Sequence, residues 1–200
     1  LASKNELDLS RENTFMSGPV HRLDRNTSGI VIFGKTLAAL QDLNEMIKLR
    51  HCIEKSYLTI CKGNLSTPRH LKGYMVKLED KSQVKLVNKD YPGALTMETL
   101  VKPIKSKNDF SLVEVTLVTG RMHQIRVHLA SIDHPIIGDR KYGDFKLNKT
   151  IKNTFGLNNQ LLHAYKIKFV KTIGTLKYLQ DKEIVCNVPK QFEKIVKTLF

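Results

Sequence analysis

The sequence predicts an α+β domain built on a largely antiparallel sheet. Three observations lead there. Apolar runs of strand type succeed one another along the chain with turn residues between them. Few segments carry apolar residues at helical spacing, so strands outnumber helices and are mostly neighbours in sequence. The 200 residues are 41% hydrophobic, enough for one core of ordinary size.

Ile30-Val31-Ile32-Phe33 reads as a buried strand, being short, apolar and β-branched. Leu40, Leu43 and Ile47 recur at helical spacing between Leu37 and Leu49. Lys55 to Lys62 alternates in the manner of a strand and ends at Gly63. Val84–Val87, 94–100 and 110–118 continue the strand series, with turns at Pro92-Gly93 and 105–109. After Gly120 the period changes, and Ile125, Leu129 and Ile132 predict a short helix. Late strands are expected over 161–170 and 183–188. Pro189 suits the first turn of a last helix carrying Phe192, Ile195, Val196 and Leu199. Residues 1–19 are polar, end in Ser17-Gly18-Pro19, and read as a flexible lead-in.

Composition narrows the function classes. No apolar run approaches the ~18 residues a membrane helix needs, and the start has no signal-peptide pattern. Three widely spaced cysteines, Cys52, Cys61 and Cys186, fit neither a disulfide framework nor a zinc cluster, which points to reduced thiols in a cytoplasmic protein. Lys and Arg number 33 against 19 acids, a formal net charge of +14, which favours a polyanionic partner.

Three constellations carry chemistry. In His21-Arg22-Leu23-Asp24-Arg25-Asn26-Thr27-Ser28-Gly29, two arginines flank one carboxylate and should hold it ionised, as a nucleophile or base requires. The plainer reading makes Asp24 a turn residue. Lys55-Ser56-Tyr57 opens a strand; Tyr57 is either a core aromatic or a face on which a base stacks, with a hydroxyl to exchange a proton. Around Gly120, Arg121, His123, Gln124, Arg126 and His128 crowd a strand-to-helix junction, a setting suited to phosphate. Plainer readings leave Arg121 solvated and the histidines structural. A metal site from His123, His128 and His134 is disfavoured, because the spacing is wrong for a helical pair and no Cys or Glu completes a ligand set.

Taken in order, these segments resemble the RluA-type family of pseudouridine synthases. Residues 21–29 match its H-R-L-D-x-x-T-S-G motif. Lys55 and Tyr57 match K-x-Y. Gly120 to Gly143 matches G-R-x-H-Q-I-R, then H-P-I-x-G-D and Y-G, and Leu161 to Ala164 matches L-L-H-A. The resemblance implies a mixed, mostly antiparallel sheet with a central catalytic cleft and flanking helices, the pseudouridine synthase fold. It implies that Asp24 is the catalytic aspartate, Arg126 its ion-pair partner, and Tyr57 the stacking partner of the target uracil. Arg22 would help displace the base. Arg25, Lys55, Arg121, His123 and Gln124 join it as candidate RNA-binding residues. The stretch from Gly143 to Asn148, with Gly156-Leu157, looks like the branch that modifies large-subunit ribosomal RNA.

The family's early K-P-x-G strand and its frequent S4-type RNA-binding domain have no counterpart before His21. Residues 20–200 are therefore expected to be the catalytic domain, and 1–19 a lead-in or a truncated N-terminal part. The expected reaction isomerises uridine with no redox change, so no cofactor and no metal are implied. Ribosomal RNA is the expected partner, with no membrane and no obligate protein partner evident. The alternatives are a synthase acting on tRNA, a non-catalytic RNA-binding protein, and a ribonuclease using His21 and His123.

Overall fold

The structure is a computed structural model that describes residues 17–78 and 82–200. Up to Met16, the expected lead-in lies outside the described residues. In chain order the elements are β1 (Gly18–Pro19), β2 (Ser28–Gly29), β3 (Phe33–Gly34), α1 (Leu37–Leu49), β4 (Ile53–Lys62), β5 (Arg69–Lys77), β6 (Val84–Val87), β7 (Leu95–Lys107), β8 (Phe110–Leu117), α2 (Gln124–Ala130), α3 (Phe145–Phe155), β9 (Leu162–Phe169), a 3-10 helix (Gly174–Leu179), β10 (Glu183–Val185) and α4 (Lys190–Leu199).

The chain divides into two compact units. One takes Leu1–Arg22, Val31–Ile53 and Lys168–Glu183, and is described from Ser17 on; the other takes Leu23–Ile30, Glu54–Ile167 and Ile184–Phe200.

In the smaller unit β1 pairs antiparallel with β3, Gly18 opposite Gly34. Helix α1 starts at Thr36, whose Oγ1 accepts the Ala39 amide at 3.2 Å, and it buries Leu43 and Met46. A Cβ at Gly34 would meet the backbone of Leu40 at 2.6 Å, so this strand end and the helix approach as only glycine allows. Asp42 on α1 accepts the amide and hydroxyl of Thr175, both at 2.7 Å, which ties the 3-10 helix to it.

The larger unit carries most of the main sheet, whose order is β10-β9-β4-β8-β7-β5-β6, with β2 beside β9. The pairs β4–β8, β8–β7, β7–β5 and β5–β6 are antiparallel and β2–β9 is parallel, so the sheet is mixed and mostly antiparallel. Alternation sends Tyr57 and Cys61 of β4 into a core with Val113 and Val115 of β8 and Ile125 and Leu129 of α2. A second core joins Ile60 and Ile137 to Ile151 of α3 and Phe192 and Ile195 of α4. Met75, Val84 and Met97 form a third with Val127.

Several elements differ from the sequence reading. The run Ile30–Phe33 is not one strand: Ile30 donates its amide to Ala164, and only Phe33 belongs to β3. The turn expected over 105–109 narrows to Asn108 and Asp109, both at positive φ, because β7 runs to Lys107. Strand β10 stops at Val185 rather than 188. The sequence reading lacks β1, β2, the 3-10 helix, β5 and α3, and β1 takes Gly18 and Pro19 out of the expected flexible lead-in by pairing them with β3. Strand β5 leads with Arg69, His70 and Lys72, which face solvent while Met75 and Val76 are buried. Helix α3 keeps Leu147, Ile151 and Phe155 on the core at i, i+4, i+8 among lysines. Among the described residues no helix is long and apolar enough to cross a membrane.

Candidate active site

Asp24 stands in the loop that leads into β2, and the loop's path is set by two distant motifs. The Thr27 amide donates to the Asp24 carbonyl at 3.0 Å, with Asn26 at φ 69°, so Asp24 does begin a tight turn, as the plainer reading had it. The turn uses its backbone, which leaves the carboxylate free for other work. Ser28 and Gly29 then align with His163 and Ala164 of the Leu161–Ala164 segment. Ser28 Oγ lies 2.8 Å from His163 Nδ1. Gly29 has φ +116°, and a Cβ there would sit 2.1 Å from the Ala164 carbonyl oxygen. No other residue allows that approach, so the Thr-Ser-Gly and Leu-Leu-His-Ala segments work as one clamp behind Asp24.

Helix α2 supplies Arg126. Its Nε and Nη2 donate to the two oxygens of Asp139 at 2.7 and 2.8 Å, and Nη1 reaches Asp24 Oδ2 at 3.4 Å. The expected pair between Asp24 and Arg126, 102 positions apart, is present as this longer contact. The stronger partner, Asp139, was not singled out from the sequence, although it closes the His-Pro-Ile-Ile-Gly-Asp segment. The signal available was that segment's acid beside a buried arginine.

Asp139 also accepts the amides of Lys141 and Tyr142 at 2.8 and 3.2 Å. Burial pushes its carboxyl upward, but Arg126 and these two amides outweigh that and hold it below the usual carboxylate range. Arg126 is itself buried, which disfavours its charge, yet the bonds to Asp139 and the two negative charges keep it firmly protonated. The side chain of Asp139 is 1% exposed and that of Asp24 is 22% exposed. One guanidinium thus faces two carboxylates. The enclosed one takes its fork, and the accessible one, among the described residues, meets it through Oδ2 alone.

Tyr142 completes the surroundings. Its ring lies under the Arg126 guanidinium at 5.3 Å. Its hydroxyl accepts the Val84 amide at 2.9 Å and lies within hydrogen-bond distance of His123 Nδ1, also at 2.9 Å. Burial and the Arg126 charge keep His123 below its ordinary value, which favours the neutral imidazole. Tyr57 is 6% exposed within the core, and burial together with the Asp24 charge pushes its hydroxyl up to about 12. It therefore stays a neutral phenol beside the carboxylate. Burial lowers Lys55, whose Nζ lies 3.8 Å from the point a Cβ would occupy on Gly120.

The remaining candidates divide. Arg25 is exposed, and its carbonyl accepts from Gln160 at 2.7 Å. Arg121 is half-buried, with Nε on the Thr96 carbonyl at 3.2 Å. Arg22 is exposed in the smaller unit. Gln124 does not face solvent. It is 2% exposed, its amide donates to the Glu98 carbonyl and Thr99 Oγ1, and its oxygen accepts from Thr119 and the Arg121 amide. It fastens the start of α2 to β7. The other two histidines weighed as metal ligands are separately engaged, His128 with Thr99 Oγ1 at 2.8 Å and His134 with the Lys62 carbonyl at 2.8 Å.

On a mixed, mostly antiparallel sheet, a partly accessible carboxylate on a buried arginine, beside an un-ionised tyrosine, makes a candidate active site. Residues 2–131 match the family described as RNA pseudouridylate synthase. The ribosomal large subunit pseudouridine synthase C of Buchnera aphidicola subsp. Baizongia pistaciae is 38% identical over 75% of this chain and 47% of its own length. The tRNA pseudouridine synthase C of Haemophilus ducreyi is 33% identical over 82% of this chain and 73% of its own. The solved structure of human RNA Pseudouridylate Synthase Domain Containing 4 shares the fold, with a TM-score of 0.75 at 23% identity, over 94% of this chain and 78% of that one. The chain belongs to the RNA pseudouridylate synthase family. It spans about half the length of the large-subunit relatives it matches.

Proposed function

We propose that this chain isomerises uridine to pseudouridine in large-subunit ribosomal RNA, with Asp24 as the catalytic carboxylate. The observation that carries this reading is the division of labour around Arg126: Asp139 takes the fork, and Asp24, its side chain 22% exposed, meets only the remaining nitrogen at 3.4 Å.

The reaction breaks the bond between uracil N1 and ribose C1′, turns the base, and joins C5 to C1′; the C5 proton is released and N1 gains one. Closure of RNA over the site would take the Asp24 carboxylate out of water, and Arg126 offers it a partner without spending its fork there. The target must leave its stack, which costs a few kcal/mol. Tyr57 would receive the base with its ring, and its un-ionised hydroxyl would move the proton. Arg22 would fill the vacated stack. Arg25, Lys55, Arg121 and His123 would meet phosphate or sugar, while Gln124 supports them from within.

Ribosomal RNA is preferred, narrowly, because the large-subunit relatives run from 35% to 38% identity against 33% to 35% for the tRNA relatives, although the latter are matched over more of their length. The experiment is to map pseudouridine in ribosomal and transfer RNA, from cells with and without the protein. Loss of a large-subunit pseudouridine alone is expected. Loss of a tRNA site alone would move the substrate and keep the chemistry. Intact pseudouridine in both would overturn the proposal.

A further inference from the structure

The most exposed large apolar side chain among the described residues is Phe145, 69% accessible at the start of α3. It is not on a loose segment. Asp144 caps the helix by accepting the Leu147 amide at 3.0 Å and is held by Lys62 at 2.9 Å. Gly143, one residue earlier, donates its amide to the Asp139 carbonyl at 3.1 Å, and a Cβ there would meet that oxygen at 2.2 Å. The turn that saturates Asp139, the partner of Arg126, is therefore the turn that presents Phe145. An aromatic ring held out in water by a fixed turn gives up burial that the same residue would gain in a core.

The rest of that helix face is basic. At 3.6 residues per turn, Phe145, Lys149 and Lys152 at i, i+4 and i+7 form one stripe, opposite the Leu147, Ile151 and Phe155 side that enters the core. Lys146 flanks the stripe. All three lysines are exposed, none has an ion-pair partner among the described residues, and α3 contains no acidic residue. A ring interleaved with unpaired lysines is complementary to single-stranded nucleic acid, in which bases stack on the aromatic while phosphates meet the cations.

We propose that the outward face of α3 binds an unpaired stretch of RNA flanking the target uridine, with Phe145 stacking on one base and Lys149 and Lys152 contacting phosphates. This rests on the reading of RNA as substrate and adds to it a second contact surface outside the catalytic residues. Stacking is tolerant of base identity, so the surface contributes affinity and register rather than sequence choice.

The test measures binding of a labelled oligouridine of about 12 nucleotides, a length such surfaces cover, across a salt series. Phe145→Leu keeps apolar bulk and loses the π face; it should weaken binding by roughly 5- to 100-fold, while Phe145→Trp restores it. Lys149→Gln with Lys152→Gln should flatten the plot of log affinity against log salt by about 0.7 per lysine. Wild-type affinity and slope in all these variants would overturn the platform and leave the synthase reading intact. A wild-type protein that binds no RNA would overturn both. A Phe145-dependent dimer with unchanged RNA affinity would make this face a protein contact and overturn the platform alone.

Discussion

Arg126 gives its planar fork to Asp139, at 2.7 and 2.8 Å, and only its remaining nitrogen to Asp24, at 3.4 Å. Stability therefore rests chiefly on Asp139, and the proposed chemistry rests on the other carboxylate. Removing one member of a buried ion pair strands the other charge, at a cost of roughly 3–5 kcal/mol. Arg126→Ala should lose about that much in urea unfolding, because it strands Asp139. Asp139→Ala should lose a similar amount while leaving Arg126 only its contact to Asp24. Asp24→Asn should unfold within about 1 kcal/mol of wild type, because its contact is single, long and partly exposed.

The same pair fixes a pH dependence. The Asp139 carboxyl is held below its ordinary value of 3.8, so the folded state binds its proton less readily than the unfolded chain. Its contribution is complete above 3.8 and is lost as the pH falls below that value. Acid unfolding of wild type should steepen there, and in Asp139→Asn that limb should flatten. An identical acid limb in the two proteins would show that Asp139 is not a coupled group.

At Tyr57 the ring and the hydroxyl can be separated. Tyr57→Phe keeps the ring in the core and loses the proton, so single-turnover rate should fall while RNA affinity holds. Tyr57→Ala also empties a buried site, at a cost of about 3–5 kcal/mol, and both properties should suffer. Because the hydroxyl is pushed up to about 12, the rate should show no limb from Tyr57 ionising near its ordinary value of 10.0. Equal, active Phe and Ala variants would reduce Tyr57 to a packing residue.

Gly29→Ala tests the clamp behind Asp24. The new Cβ would fall 2.1 Å from the Ala164 carbonyl oxygen at a φ of +116°. Either the loop moves or the β2–β9 pairing breaks, and turnover should drop by more than tenfold, since small misplacements in a site carry penalties of that order. Wild-type turnover in this variant would detach the clamp from the chemistry.

What was legible in the sequence follows from where each signal is stored. Helix α1, strands β4 and β8 and helix α4 carry their apolar period within ten or so residues, so local spacing reveals them. Strand β5 hides because Arg69, His70 and Lys72 face water, and its burial at Met75 and Val76 begins only after Gly73. Helix α3 hides because its three core positions are diluted by lysines. Motif resemblance marked Asp24, Tyr57 and Arg126, but it could not rank Asp139 above Asp24 as the arginine's partner. Gln124 read as an RNA contact because it is polar among basic residues. Its burial depends on a carbonyl and a hydroxyl of β7, more than twenty positions away, which no local pattern records.

The +14 charge should show in solution as salt-dependent binding. If several lysines and arginines neutralise phosphates, affinity for ribosomal RNA should fall by orders of magnitude between low and moderate salt. A flat response would exclude phosphate contact as the main source of affinity.

In the proposed reaction the Asp24 carboxylate performs the isomerisation while Asp139 holds the arginine. The direct measurement pairs a pseudouridine assay with RNA affinity for Asp24→Asn, which keeps size and hydrogen bonding and removes the charge. Isomerisation should vanish with folding intact, and RNA should bind as well or more tightly, since a negative group facing phosphate has gone. An Asp24→Asn protein that still forms pseudouridine at the wild-type rate would contradict the account.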